Sequence, residues 1–405
     1  MSVLSGKKIL LGVTGSIAAY KAADLASKLT QAEALVDVVL TGAAEHFIPQ
    51  ITFQSLTGRK AYIDSDLWGG EAHVLHVGLG HSADLLVIAP CTANTLAKLV
   101  HGQSNDLLSI TALAAQCPIM VAPAMDVGMY EHPATQENVG ILRERGVYVA
   151  GPAEGRMASG LVGRGRMLEP NELLGHIRVV LGREYGKLKD KKVVVTAGGT
   201  QEAIDPVRFI TNRSSGKQGY AVAQAALDAG ADVTLISTPT ALTAPVGAKM
   251  VNVRSAQKML EAVLTESKGA DALIMAAAVA DFRPANVAGN KLKKRDGIPQ
   301  ITLEAAPDIL GTVANLNSEA NRPRVVVGFA AESRDLIANA SEKMKSKKLD
   351  MIVANDISAT DAGFDVEENR VTLLTPDGQQ EKLSLRSKFA VSEKIIVKLA
   401  SMLEK

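Results

Sequence analysis

A chain of 405 residues exceeds what one hydrophobic core usually supports, so two domains are expected. Hydrophobic residues at 47% and charged residues at 21% exclude a disordered chain, and aromatics at only 3% mean cores built from Ala, Val, Leu and Ile. A formal net charge of +1 excludes bulk attraction to nucleic acid, although the run KLKKR at 291–295 remains available to small anions.

Lys7 and Lys8 precede ILLGV, a buried-strand pattern. The turn Gly12-Val13-Thr14-Gly15-Ser16 leads into IAAYKAADLASKLT, which has helical periodicity. ALVDVVLT reads as the second strand and ends at Thr41; ADLLVIAP (83–90) and CPIMVAPAM (117–125) read as further strands. The cysteines, Cys91 and Cys117, sit beside these apolar runs and read as packed thiols. Strands alternating with helices imply a parallel sheet covered on both faces, with ligands beyond the carboxyl ends of the strands. Gly15, Ser16, Thr41, Thr92 and Asp126 all fall at such ends, so one crevice is expected to collect them. The G-x-x-G-S spacing is not the dinucleotide fingerprint, which disfavours a nicotinamide dehydrogenase; a phosphate at the first helix N-terminus, with Ser16 donating, remains reasonable.

GVTGSIAAYK, APCTANTLAK and HGQSNDLL together resemble the flavin-dependent cysteine decarboxylases. The resemblance implies FMN, held by Gly15, Ser16, Thr41, Phe53, Thr92, Ser104, Asn105 and Asp106 or their backbones. It also implies a catalytic histidine ahead of the ADLLVIAP strand, a position that His76 fits, with His73 and His81 as weaker candidates nearby. A neutral imidazole there would accept a proton or orient a substrate carboxylate. Two positions depart from the family pattern. Asp126, in PAMDVGMY, stands where the family has an Asn that grips the substrate carboxylate. An ionised Asp about 4 Å from that carboxylate would cost on the order of 4 kcal/mol at an effective dielectric of about 20. Protonation, a partner among Arg156, Arg164 and Arg166, or a substrate held differently would relieve the clash. In the flap EGRMASGLVGRGRM (154–167), Ser159 stands where the family has a cysteine that protonates the enethiolate, and a hydroxyl is a far weaker acid than a thiol. The flap glycines suggest a mobile loop.

NELLGHIRVVLG reads as a helix closing the first half, and REYGKLKDKK as a short polar linker, giving domains 1–186 and 187–405. The second half opens with KVVVTAGGTQEAIDPVRFITNRSSGKQG (192–219): a buried strand, a glycine turn whose amides can approach an anion, a polar segment, then a helix. ADVTLISTPT, DALIMA, VVVGFAAE and LDMIVAND read as strands, AQKMLEAVLTES as a helix, and VTLLTPDGQQEKLSL as a hairpin with an Asp-Gly turn. Lys343 and Lys347 make an i,i+4 pair on one helix face.

TAGGT followed by DPVRFITNRSSGK resembles the ligase domain of phosphopantothenate–cysteine ligases. That resemblance implies CTP as co-substrate, bound by Met275, Ala276, Ala277, Asp281, Lys291, Pro307, Asp308, Ile309, Leu310, Phe329, Lys343 and Lys347, with Mg2+ on the triphosphate. Lys291 would stabilise charge on the transferred phosphoryl and Asn212 would hold the activated carbonyl. The implied catalytic set over both halves is His76, Asp126, Ser159, Asn212 and Lys291.

The expected fold class is therefore α/β: two doubly wound Rossmann-like domains, one decarboxylase-like and one a nucleotide-dependent ligase. Together the halves resemble the bifunctional decarboxylase/ligase family of coenzyme A biosynthesis. CTP-dependent ligation of cysteine to 4'-phosphopantothenate through an acyl cytidylate would precede FMN-dependent decarboxylation to 4'-phosphopantetheine. The alternative keeps an active ligase beside an FMN-binding but impaired first half that serves assembly or regulation. The resemblance also implies trimers of the first half linked by ligase dimers. With no signal-type leader and no run apolar enough to span a bilayer, a cytoplasmic enzyme is expected.

Overall fold

The computed structural model describes residues 3–69, 74–316, 321–332, 335–356 and 366–404. The chain divides into two compact units, Ser2–Glu184 and Tyr185–Lys405. Among the described residues no helix is long and apolar enough to cross a membrane.

In the first unit the strands are β1 (Lys8–Val13), β2 (Leu35–Leu40), β3 (Ala61–Tyr62), β4 (Leu85–Cys91), β5 (Ile119–Pro123) and β6 (Tyr148–Val149). They form one sheet in the order β3-β2-β1-β4-β5-β6 with every pairing parallel. Strand order reverses between β1 and β4, so the crevice beyond their carboxyl ends is the switch point where doubly wound sheets bind ligands. The helices are α1 (Ala19–Gln31), α2 (Gly42–Glu45), α3 (Gln50–Thr57), α4 (Leu75–Ser82), α5 (Ala93–His101), α6 (Leu107–Ala114), α7 (Val127–Glu131), α8 (Pro133–Glu144) and α9 (Pro170–Tyr185). Leu25 of α1, Phe53 of α3 and Ile177 of α9 bury one sheet face; Leu96 of α5, Leu108 of α6 and Leu142 of α8 bury the other. Burial on both faces is why β4 reads as an unbroken apolar run.

Two segments differ from the sequence reading. Residues 154–167 are not an irregular loop: β7 (Ala153–Arg156) and β8 (Val162–Arg166) pair antiparallel. A tight turn joins them, with Met157 N donating to Leu161 O (2.9 Å). The ribbon is rich in glycine and arginine, so it lacks the apolar alternation by which a half-buried strand is recognised. The closing helix also runs on to Tyr185 and absorbs the start of the expected linker.

The second unit places β9 (Lys192–Ala197), β10 (Gln201–Ala203), β11 (Phe209–Thr211), β12 (Asp232–Ser237), β13 (Lys249–Asn252), β14 (Ala272–Met275), β15 (Phe282–Pro284), β16 (Leu303–Ala305), β17 (Val325–Glu332), β18 (Met351–Asp356), β19 (Glu368–Leu374) and β20 (Gln380–Ser387). Its main sheet runs β13-β12-β9-β14-β17-β18-β19-β20, with β10/β11 and β15/β16 as separate ribbons. The pairings are parallel up to β18; β19 and β20 add antiparallel through the expected Asp377-Gly378 turn. Here the order reverses between β9 and β14. Helices α10 (Lys217–Asp228) and α14 (Lys388–Leu403) cover one face. Helices α11 (Ala256–Glu266), α12 (Ile309–Ala314) and α13 (Leu336–Ser346) cover the other.

Candidate active sites

At the first switch point the β1 and β4 ends are tied together. Thr14 Oγ1 donates to Pro90 O (2.8 Å) and accepts from Thr92 N (3.2 Å). Thr92 caps α5, and α1 begins without a side-chain cap, leaving a helix N-terminus for an anion next to Ser16. A Cβ on Gly15 would stand 2.5 Å from that of Ala43, so only glycine allows this turn to approach α2. Thr41 opens α2, and Asp64 links that turn to α6, accepting from Gly42 N (3.2 Å) and Leu107 N (3.0 Å). Gly15, Ser16 and Thr92 therefore share one rim, and Thr41 and Asp106 another. Asp106 caps α6 and pairs with Lys98 (2.6 Å). Burial opposes its ionisation, but Lys98 and Ser109 outweigh it and hold the carboxyl below its usual range. Ser104 and Asn105 are exposed. Phe53 is wholly buried in the core, so its side chain offers no surface to a ligand.

A 590 Å³ cavity adjoins this rim, lined among others by Ser16, Tyr20, Lys21, Asp126, Arg156, Ser159 and Arg166. Asp126 and Ser159 meet: Ser159 Oγ donates to Asp126 Oδ2 (2.6 Å), and Asp126 Oδ1 accepts from Gly128 N (3.2 Å) as the cap of α7. No arginine pairs with Asp126 among the described residues; Arg166 is held by Glu169 (2.6 Å), and Arg164 lies over the Tyr130 ring. The nearly buried Lys21 joins α1 to the chain leaving the flap, donating to Met167 O (3.0 Å) and Glu169 (2.9 Å). His76 lies in the first turn of α4 and does not line this cavity; its Nδ1 is buried without a hydrogen-bond partner among the described residues. His81 is exposed, and His73 lies outside the described residues.

At the second switch point the glycine turn is locked onto the segment after β14. Ala278 N donates to Gly198 O (2.8 Å), Ala277 N to Thr196 Oγ1 (3.1 Å) and Ala280 N to Thr200 Oγ1 (2.9 Å). Gly198 has φ +84°, and a Cβ there would strike the Thr238 side chain. Of the turn's own amides, Thr200 N donates to Ala278 O (3.2 Å), and α10 brings a second backbone N-terminus to the same region. That helix starts at Gly216 with no side-chain cap, behind Ser214 and Ser215.

A 650 Å³ cavity opens here, lined by Asn212, residues 214–219, 275–281 and 306–310, and Phe329, Lys343 and Lys347 among others. Every expected nucleotide contact except Lys291 lines it. Asn212 Nδ2 donates to Val279 O (3.0 Å), Lys343 Nζ to Phe329 O (3.0 Å), and Lys347 pairs closely with Asp308, the cap of α12. Burial opposes ionisation of Asp308, but Lys347, Gly311 N–H and Lys343 together hold its carboxyl below the usual range. Lys291 is exposed and outside the lining because its loop is tethered elsewhere: Ala288 N donates to Ile204 O (3.0 Å) and Leu292 N to Asp205 Oδ2 (3.2 Å). Asp205 is buried and also accepts from Val207 N and Arg208 N (2.8 Å each). Among the described residues no group of three or more His, Cys, Asp or Glu side chains is arranged to hold a metal.

Residues 2–182 match the Flavoprotein family, and residues 188–403 match the DNA/pantothenate metabolism flavoprotein C-terminal domain. Over all of both chains, the sequence is 45% identical to the coenzyme A biosynthesis bifunctional protein CoaBC of Vibrio vulnificus (strain YJ016). The chain belongs to the CoaBC family. The CoaBC protein of Bacillus subtilis (strain 168) is 42% identical over 99% of this chain and 98% of its own. A solved C-terminal domain of a CoaBC protein superposes on 54% of this chain and 98% of its own, with 40% identity and a TM-score of 0.46. Within this CoaBC chain the residues that sequence reasoning passed over are Asp64 and Lys21. Each bonds to segments distant in sequence, and no local pattern announces that.

Proposed function

We propose that this CoaBC chain catalyses two consecutive steps of coenzyme A biosynthesis, ligation in residues 187–405 and decarboxylation in residues 1–186. The observation that carries the ligase reading is the cavity at the β9/β14 switch point, with Lys343 and Lys347 on one wall and the uncapped start of α10 on another. A carboxylate does not condense with an amine unaided. Transfer of CMP from CTP to phosphopantothenate, with loss of pyrophosphate, creates a leaving group that cysteine nitrogen displaces. Lys343 and Lys347 offset the triphosphate charge, Mg2+ enters as its counter-ion, and Ser214 and Ser215 with the α10 amides receive a phosphate. Asn212 holds the activated carbonyl. Lys291 serves once its loop turns inward.

In the first unit FMN suits the two polar rims that carry Gly15, Ser16 and Thr92, and Thr41, beside the N-terminus of α1. When bound, it supplies the two-electron oxidation and reduction of the cysteinyl end. Ser159 relays a proton between Asp126 and the decarboxylated enethiolate across their 2.6 Å hydrogen bond. Arg156, exposed beside them on the cavity wall, attracts the anionic substrate. The reading with an inert first half is not favoured, because these two residues meet in one cavity. His76 lies outside that cavity, which is in keeping with a site completed by a second subunit in trimers of this unit. The exposed apolar side chains Ile17, Tyr20, Ile51 and Trp68 favour such an interface, and Val207, Phe209 and Phe282 favour ligase dimers. The ligase reading is tested by CTP-dependent consumption of cysteine with phosphopantothenate; ATP and GTP serving as well as CTP would count against it.

A further inference from the structure

The β10–β11 ribbon has Asn212 at its base and a buried carboxylate at its tip. The base is fixed from one side by Gln201 N donating to Arg254 O (2.8 Å), and by the buried Glu202 accepting from Ala256 N (2.8 Å) at the start of α11. From the other side Asn212 donates to Val279 O (3.0 Å) on the cavity wall. At the tip, Asp205-Pro206 opens a turn that Ile204 N closes by donating to Arg208 O (2.9 Å). Asp205 Oδ1 accepts from Val207 N and Arg208 N (2.8 Å each), bonds internal to that turn. Its Oδ2 serves a different segment, accepting from Leu292 N (3.2 Å) with Arg208 Nη1 nearby (3.4 Å). The turn needs one carboxylate oxygen and would accept an Asn as readily. The second oxygen of this buried side chain is accounted for by the loop.

Ala288 N donates to Ile204 O, so consecutive residues of the turn hold both ends of one short loop. Only Gly289, Asn290 and Lys291 lie between the two pins. A Cβ on Gly289 would meet nothing within 4 Å, which leaves the tip open space to turn in. Lys291 is exposed and outside the cavity lining, so its entry depends on how this tip moves. Without the pin at Leu292 the free stretch becomes 289–301. The next backbone bond to a distant segment among the described residues is then Thr302 O accepting from Ala285 N (3.0 Å). The chance that a flexible stretch meets a fixed point falls as roughly the −3/2 power of its length, so the longer stretch presents Lys291 about tenfold less often.

We propose that Asp205 is a positioning residue for nucleotidyl transfer: by pinning Leu292 next to the pin on Ala288, it confines Lys291 to a short tip that delivers it to the transferred phosphoryl. The inference rests on the ligase reading above. In the step concerned, a carboxylate oxygen of phosphopantothenate forms a bond to the α-phosphorus of CTP. The bond from that phosphorus to the bridging oxygen breaks, and pyrophosphate leaves with the electron pair. Lys291 offsets the charge that builds on the phosphoryl oxygens. Asp205 touches neither reactant and moves no proton; it acts through the loop alone.

The test uses the full chain and reads first-turnover pyrophosphate release from CTP, Mg2+ and phosphopantothenate without cysteine, with CTP varied. Asp205→Asn can keep the turn with its one oxygen, but its amide then sets a donor against Leu292 N–H. The rate at saturating CTP is expected to fall about tenfold or more, with half-saturating CTP within about threefold of wild type, because Lys343 and Lys347 stand on and beside α13. Leu292→Pro removes the donor and leaves Asp205 in place, and is expected to show the same split. Lys293→Pro keeps Leu292 N–H and is expected to stay within about threefold of wild type on both measures. A full rate in Leu292→Pro, or equal losses in the two proline variants, overturns the proposal whatever Asp205→Asn does to the fold. A raised CTP requirement with an unchanged saturating rate in Asp205→Asn places its effect at the nucleotide instead and overturns the proposal while the ligase reading stands. No pyrophosphate release from wild type overturns that reading and the proposal together.

Discussion

Ser159→Ala separates two roles that one hydrogen bond can play. The bond from Ser159 to Asp126 is 2.6 Å long, and a protein hydrogen bond contributes about 1 kcal/mol net. Ser159 is exposed, so solvent competes for the same groups and the bond is worth no more than that. As a latch holding the flap closed, the bond would therefore change the closed population only about fivefold. Carbon dioxide release and phosphopantetheine formation would fall together by that factor. A proton relay predicts a split instead: lost acid catalysis typically costs about 10²- to 10⁴-fold, and only in the step that needs the proton. Single-turnover release of labelled carbon dioxide should stay within about fivefold of wild type, while phosphopantetheine falls about 100-fold or more and the oxidised enethiol accumulates. Asp126→Asn keeps an acceptor for Ser159 but has no proton to pass, and should show the same split. Phosphopantetheine formation by Ser159→Ala within about fivefold of wild type would refute the relay and leave only the latch.

Lys347→Met removes a cation from the nucleotide end and leaves Asp308 without its partner, so the CTP KM should rise about tenfold, near 1.4 kcal/mol, as read by pyrophosphate release at varied CTP. Lys291→Ala should abolish acyl cytidylate formation while Lys294→Ala changes little; equal losses would mean that the basic run acts as a diffuse field. Asp106→Asn leaves Lys98 half-enclosed without its counter-charge and should cost about 3 kcal/mol, read as a lower melting temperature of the first unit. Because the folded Asp106 carboxyl lies below its unfolded range, its contribution is complete above about pH 4 and fades as pH falls through the folded value. Asp106→Asn should therefore flatten the acid limb of the stability profile, and an unchanged limb would contradict the assignment.

Apolar runs make both sheets legible in the sequence. ILLGV, LLVIAP and VVVG are buried on both faces, and burial of that kind writes a continuous signal into the chain. Motif positions likewise placed Asp126 with Ser159, and Asp308 with Lys347, on common cavities. What escaped depends on partners far away in sequence. The β7–β8 ribbon carries glycine and arginine where a strand signal needs alternation, and it is held at its base by Met125 N donating to Gly165 O (3.0 Å). Lys291 matched a motif, yet Asp205 and Ile204 draw its loop away from the cavity lining. Phe53 was an FMN contact implied by the resemblance, but its side chain is packed in the core under the sheet.

One measurement bears most directly on the claim that a single chain performs both steps. Purified full-length protein is given CTP, Mg2+, phosphopantothenate and carboxyl-labelled cysteine, and products are followed by mass and label. Equimolar phosphopantetheine, labelled carbon dioxide and CMP are expected, with phosphopantothenoylcysteine appearing only transiently. Phosphopantothenoylcysteine that accumulates with no label released would contradict the claim for the first unit, and failure to consume CTP would contradict it for the second.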